Sequence, residues 1–399
     1  MRNLQQTLSG SVRLGSFAGL VLALAVTSYT TSTSLAHTLS TTLLGILIGF
    51  VVAETPLSGP FQELVGLVSR SPDKVGLDVL HGTLQEQRAT DEDTDASSRL
   101  LDQRTMYGLQ HAFLNLEVTG WWFNMGLWPD KSEQQQRTTR LPFRDACKAL
   151  VRKVVHDIGI NEQSSILDVG FGCGDQDVYM AQQYKPGKIT GITIESIQHH
   201  AAEQLVKHSD VGDTKIALYV ADASKLPEFL AAHPQVLGGA TGTGEGKSFF
   251  THVVSIDSAY HYRTRRQFLE NAFRYLQPGG VGRLAMADMV LAKPAPTSAV
   301  GRWVFEKVFE AIQVPPTNMK SLAEYRHDLE EVGFQDIEIE CVEERVFAGL
   351  ADHIEAQLGQ FGGLVKPNVH WTYRGLVRGL RWLAASGWIH FVVVKARRP

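Results

Sequence analysis

From Ser165 to the C-terminus, short runs of β-branched and aliphatic residues alternate with stretches whose apolar positions recur every three or four residues. The first kind of run reads as buried strand and the second as amphipathic helix. SILDVG (165–170) is a first strand, followed by a helix near 176–184. KITGITI (188–194) is a second strand with a helix over 196–209, KIALYVAD (215–222) a third, and FFTHVVSID (249–257) a fourth. A helix over 263–276 stops at Pro278-Gly279-Gly280, residues that break helices at their C-termini. VGRLAMADMV (281–290) is the fifth strand, a helix over 321–332 ends at Gly333, FQDIEIECV (334–342) is the sixth strand and WIHFVVVKA (388–396) the last. Such alternation predicts an α/β domain with a seven-stranded, mostly parallel sheet and helices on both faces.

The N-terminus follows another pattern. No acidic side chain precedes Glu54; LGSFAGLVLALAVTSY (14–29) is apolar apart from small hydroxyls, and LLGILIGFVVA (43–53) is a second apolar run. A bilayer helix needs about 20 residues, so the first run is nearly long enough, and the second reaches that length only with 35–42 included. Arg2 and Arg13 precede the first run while Arg70 and Lys74 follow the second, which suits a hairpin with both ends cytosolic. Residues 1–55 are expected to form a membrane-associating segment of one or two helices. A signal peptide cleaved after Ser34-Leu35-Ala36 is a competing reading, although the second run would survive that cleavage and no N-x-[ST] sequon follows. A mitochondrial leader is a third. Residues 56–104, with Asp91, Glu92, Asp93 and Asp95 in a polar segment, are expected to be a solvated linker. The main domain then runs over 105–399, with insertions near 290–320 and 343–385. The expected location is a membrane with this domain in the cytosol, the endoplasmic reticulum ahead of the mitochondrion.

Composition narrows the partners. The 399 residues carry 38 Lys and Arg against 42 Asp and Glu, a net charge of −4, so no basic excess recruits nucleic acid. Cys147, Cys173 and Cys341 are odd in number and far apart, without a CxxC, which suggests neither a disulfide framework nor a zinc site. The Gly-rich LGGATGTGEGKS (237–248) ends like a phosphate-binding loop, but Thr241 stands where that pattern needs Gly, and it leads into a strand rather than a helix. It is expected to be a flexible insertion.

Asp168-Val169-Gly170-Phe171-Gly172-Cys173-Gly174-Asp175 closes the first strand and opens a helix. Glycines at alternate positions let backbone amides approach a ligand at a helix N-terminus. A dinucleotide site wants G-x-G-x-x-G, and Asp175 stands in place of its last glycine. D-x-G-x-G-x-G instead resembles the first motif of class I S-adenosylmethionine (SAM)-dependent methyltransferases, of the small-molecule type that includes tocopherol, sterol and sugar O-methyltransferases. GITIESIQ (191–198) and VADASKLP (220–227) resemble further motifs of that family. The resemblance covers about 105–397 and implies a Rossmann-like fold with SAM as cofactor. Carried over residue by residue, it implies that Asp168, Gly170, Gly172, Gly174, Thr193, Gln198, Asp222 and Ala223 bind SAM. GWWFNMGLWPD (120–130) resembles a segment folded over the cofactor, with Gly126 and Trp128 at matching positions.

For the acceptor, Asp257-Ser258-Ala259-Tyr260-His261 and the Asp288 position resemble the E-S-x-H-H and A-D motifs of the sugar and tocopherol enzymes. That match implies His261 as base, Asp288 as its orienting carboxylate and Tyr260 in place of a second His. Transfer to an O or N atom of a hydrophobic small molecule is expected, since Trp303, Phe305, Phe309, Phe347, Phe361, Trp371 and Tyr373 populate the insertions. Tyr260 with Tyr262 would suit an amine by cation–π contact. C-methylation of a sterol-like alkene and a catalytically silent SAM-fold scaffold at a membrane are the alternatives. Sequence fixes no oligomeric state.

Overall fold

Strand β1 (Ser165–Val169) is buried over its last four residues, as expected of a parallel strand covered on both faces. It pairs in parallel with β2 (Lys188–Thr193) on one side and β4 (His252–Ile256) on the other. With β3 (Lys215–Val220), β5 (Arg283–Leu291), β6 (Gln335–Cys341) and β7 (Ile389–Arg397), the order is β3-β2-β1-β4-β5-β7-β6. Strand β7 runs against its neighbours, pairing antiparallel with β5 and β6. This is the mixed seven-stranded, Rossmann-like sheet that the alternation predicted. The computed structural model describes residues 114–115, 120–130, 132–133, 140–237, 250–361 and 367–399. The expected membrane segment over 1–55, the linker over 56–104 and the Gly-rich insertion from 238 lie outside them. Among the described residues, no helix is long and apolar enough to cross a membrane.

Alternate residues of each strand feed opposite cores. Ile166, Val254 and Ala285 face one apolar cluster together with α1 (Phe143–Val155), α2 (Asp175–Tyr184), α8 (Phe347–Phe361) and α9 (Pro367–Ser386). Leu167, Val253 and Leu284 face the other with α4 (Leu226–Ala232), α5 (Arg265–Tyr275) and α7 (Leu322–Val332). Helices α3 (Ser196–His208) and α6 (Ala299–Ala311) complete the set among the described residues; α6, α8 and α9 fill the two expected insertions. Local signals set the ends: Ser321 and Glu324 form a capping box on α7, and Gly333 closes it at φ 108°. β4 ends one residue before the sequence pattern does, because Asp257 turns the chain at φ 59°.

Candidate active site

The strand order reverses at β1, with β2 on one side and β4 on the other, so a crevice opens beyond the C-terminal ends of these strands. Gly170, Gly172 and Gly174 line its floor with φ of 82°, 63° and 86°. A Cβ on Gly170 would lie 2.4 Å from Ser258 Oγ, and one on Gly174 would lie 2.8 Å from Ala202 Cβ. Those two glycines therefore let the turn pack against the β4 loop and α3. Gly172 meets only Phe123, at 3.4 Å.

Three acids surround this turn. Asp168 is fully buried and accepts from Gln176 Nε2 on both oxygens, at 2.9 and 2.7 Å. Burial still pushes its carboxyl up to about 6, and that of Asp175 up to about 7. Asp177 is buried with no donor to either oxygen among the described residues. Desolvation and the neighbouring Asp168 hold it well above the usual carboxylate range. Asp168 thus acts through Gln176 rather than facing the crevice openly.

A strap over Gly120–Asp130 crosses the same floor. The N–H of Trp121 donates to Asp175 at 3.1 Å, and that of Met125 donates to Asp257 at 2.7 Å. Trp128, expected to touch the cofactor, is instead the strap's anchor: it is 4% exposed and packs on Phe143 and His353. Its indole N–H donates to the Met125 carbonyl at 3.0 Å. A Cβ on Gly349 would reach within 2.1 Å of its ring, so Trp128 occupies a slot that glycine leaves open. Phe123, against Gly172, stands closer to the crevice.

Along the rim, Thr193 donates its hydroxyl to Gln198 Oε1 at 3.3 Å. Thr193 stands in register with Val220, two residues before Asp222. Asp222 is exposed and caps the short turn Ala223–Lys225, with one oxygen accepting from Ser224 N and Oγ at 2.8 and 2.7 Å. Ala223 is buried behind it. Strand spacing of about 4.8 Å puts the ends of β1, β2 and β3 in a row roughly 10 Å long.

Beyond β4, Asp257 accepts from the Tyr260 phenol at 2.7 Å on one oxygen and from Met125 N on the other. Burial pushes its carboxyl up to about 7. The Tyr260 ring lies 4.3 Å from that of His261, whose Nδ1 is 3.1 Å from the Gln313 carbonyl. A carbonyl partner requires a proton on Nδ1, which leaves the imidazole lone pair on Nε2. Asn318 donates to the carbonyls of Tyr260 and Tyr262 and fixes the turn.

Two expectations change here. Asp288 does not orient His261: its carboxylate is committed to a buried ion pair with Arg265 at 3.1 Å, to the Tyr325 phenol at 2.8 Å and to Met289 N. Arg265 stacks on Tyr325 at 4.2 Å, so this network is a buried strut under β5. Nor do Tyr260 and Tyr262 make an aromatic cage, because Tyr262 ties its hydroxyl to Val169 O, Ser255 and Ser258. The carboxylate beside Tyr260 and His261 is Asp257, which sequence reasoning passed over. It was readable as the acid of the E-S-x-H-H match, in the position where the chain leaves β4.

Residues 166–280, which carry the glycine turn, both rim segments and the β4 loop, match a family model described as a methyltransferase domain. The chain is a class I SAM-dependent methyltransferase. It is 27% identical over 266 residues to erythromycin 3''-O-methyltransferase of Saccharopolyspora erythraea, covering 64% of this chain and 79% of that protein. It is 28% identical over 294 residues to an O-methyltransferase of Pyrenophora dematioidea, covering 73% and 95%. The cyclopropane synthase MmaA2 from Mycobacterium tuberculosis shares the fold at a TM-score of 0.53 and 15% identity, over 74% of this chain and 96% of that one.

The residues of this methyltransferase fit SAM. The glycine floor admits close backbone approach. Ile194 and Val220, at the ends of β2 and β3, are large apolar side chains left 63% and 51% exposed, a surface suited to a purine face. Asp222 beside them offers a carboxylate to an exocyclic amine, and the Thr193–Gln198 pair offers hydroxyl and amide groups to a ribose.

Proposed function

We propose that this methyltransferase transfers the SAM methyl to a hydroxyl oxygen of a hydrophobic secondary metabolite. The observation that carries this reading is the Asp257–Tyr260–His261 arrangement, which sets a base-competent imidazole beside a phenol held by a carboxylate at the rim of the crevice. The O-methyltransferase names of the relatives support it. When bound, SAM supplies an electrophilic methyl on a sulfonium. Asp168, through Gln176, with Gly172, Thr193, Gln198, Asp222 and Ala223 would hold the cofactor.

His261 Nε2 receives the acceptor proton as the oxygen takes the methyl, so charge leaves the oxygen while the C–O bond forms. Asp257 orients the Tyr260 phenol, and the strap it clamps at Met125 N excludes water from the reacting oxygen. Residues of α6, α8 and α9, among them the buried Phe305, Phe309 and Tyr373, shape the acceptor side. On the same proposal, the apolar runs within 1–55 attach the enzyme to the membrane from which a lipophilic acceptor is drawn, with the 105–399 domain in the cytosol.

The test incubates purified protein with isotopically labelled SAM and a panel of polyketide, phenolic and prenylated alcohols, then locates the label by mass spectrometry. A methyl ether is expected. Label on carbon or nitrogen would replace this reading with C- or N-methylation.

A further inference from the structure

A second cluster of reactive side chains lies on the far edge of the sheet, where β6 meets β7. Cys341 pairs in register with Val392, and the antiparallel ladder continues as Val342 N donates to Phe391 O at 2.8 Å. β6 ends at Cys341, and Glu343, which opens the turn that follows, meets His390 of β7 with its carboxylate at 2.7 Å. Val392 and His390, two apart on β7, share a face, so His390 lies on the side of Cys341, and the turn brings Glu343 to the same place. One donor atom from each lies within 4.8 Å of the others.

We propose that Cys341, Glu343 and His390 bind a divalent cation of the zinc class, with solvent in the fourth position. Thiolate, imidazole and carboxylate are together the donor set of tetrahedral zinc, at bond lengths of about 2.0–2.3 Å. Such bonds place neighbouring donors roughly 3.3–3.8 Å apart, so side-chain rotation closes the triangle without moving either strand. Two further observations point to a ligand. Glu343 Oε2 is buried and has no donor among the described residues, while its other oxygen meets His390 Nδ1 at 2.7 Å. A cavity of about 350 Å³ adjoins the cluster, lined also by Lys153 and Arg345. Those cations are already matched, Lys153 by Glu340 at 2.7 Å and Arg345 by Glu133 at 3.3 Å. Cys341 would bind as the thiolate and so release its proton to solvent. Because the ligands come from the end of β6, the turn after it and β7, with Glu343 and His390 47 residues apart, no spacing motif announces them.

The site borders the strap. The turn Glu343–Arg345 ends in the residue that accepts Trp128 N–H at 2.7 Å on its carbonyl and donates from Nε to Trp128 O at 3.0 Å. A cation on Glu343 therefore stiffens the support of the segment that crosses the cofactor crevice.

The chain has three cysteines, and Cys341 alone is exposed, Cys147 and Cys173 being buried. Iodoacetamide labelling of the native full-length protein thus reads Cys341. Zn²⁺ should slow that labelling at least tenfold with one-to-one stoichiometry, and Co²⁺ should give a thiolate-to-metal charge-transfer band with tetrahedral d–d absorption. Cys341→Ser should abolish the band, and His390→Ala should weaken Co²⁺ binding at least tenfold. Labelling unaffected by Zn²⁺, or a Co²⁺ complex with no thiolate band, would overturn the proposal. The labelling arm uses wild-type protein, so it decides the matter even if a variant misfolds.

Discussion

The Tyr260 phenol donates a 2.7 Å hydrogen bond to Asp257, the residue that turns the chain out of β4 at φ 59°. The pair fixes the ring against which His261 packs, and so sets the direction of the imidazole. A proton-accepting side chain contributes typically 10²–10⁴ in rate. His261→Ala is therefore expected to lower kcat by that range with little change in SAM affinity. Tyr260→Phe keeps the ring and loses only the Asp257 bond, so a smaller loss, on the order of tenfold, should follow. Single-turnover kinetics with calorimetric SAM binding would check both, and wild-type kcat in His261→Ala would remove the imidazole from the chemistry.

Asp257 and Asp175 each clamp one strap N–H, and burial pushes each up to about 7. Their folded-state values lie above the ordinary aspartate value of 3.8. The folded state thus binds more protons than the unfolded chain between about pH 4 and 7. The sign follows: their contribution to stability is fully present below the unfolded value and is lost as pH rises through about 7. A shift of that size corresponds to about 4 kcal/mol per group as an upper bound. Asp175→Asn should flatten the urea midpoint between pH 5 and 8, whereas an unchanged slope would mean that the carboxyl is not strained by burial.

The Arg265–Asp288 pair leads to a different outcome. Removing one member of a buried pair strands the other charge, at about 3–5 kcal/mol. Asp288→Ala should drop the melting temperature sharply. If the enzyme still folds at low temperature, its kcat per folded molecule should stay within a few fold of wild type. A hundredfold loss of kcat in well-folded protein would return Asp288 to the chemistry.

The glycine turn separates packing from binding. Gly172→Ala places a methyl toward the crevice with only ordinary contact to Phe123. Its main structural cost is the left-handed backbone, about 1–2 kcal/mol, and SAM affinity should fall at least tenfold. Gly170→Ala collides with Ser258 at 2.4 Å and should lower stability further. Thermal melts with and without SAM distinguish the two.

The strands, their flanking helices and the cofactor turn were legible because each rests on local signals. β-branched runs, helix stops at Pro278 and Gly333, and the D-x-G-x-G-x-G spacing all act over fewer than ten residues. Roles that depend on a distant partner were not. Asp288 sits in an A-D motif match, yet Arg265 and Tyr325 claim its carboxylate from other elements. Trp128 sits in a cofactor-covering segment, yet Gly349 and His353 give it a slot in the core. Asp257 was hidden by the opposite error, since its neighbours in sequence drew attention to the ring residues alone.

The reciprocal bonds between Trp128 and Arg345 join positions 217 residues apart. A nascent chain that has emerged only through β5 already holds the glycine turn and the Asp175 and Asp257 clamps on the strap, but it lacks Arg345, Gly349 and His353, which seat Trp128. Assembly of the methyl-transfer chamber is thus postponed until the C-terminal third has been synthesised. Until then a ribosome-bound fragment carries a roof pinned along its middle and loose at its Trp128 end.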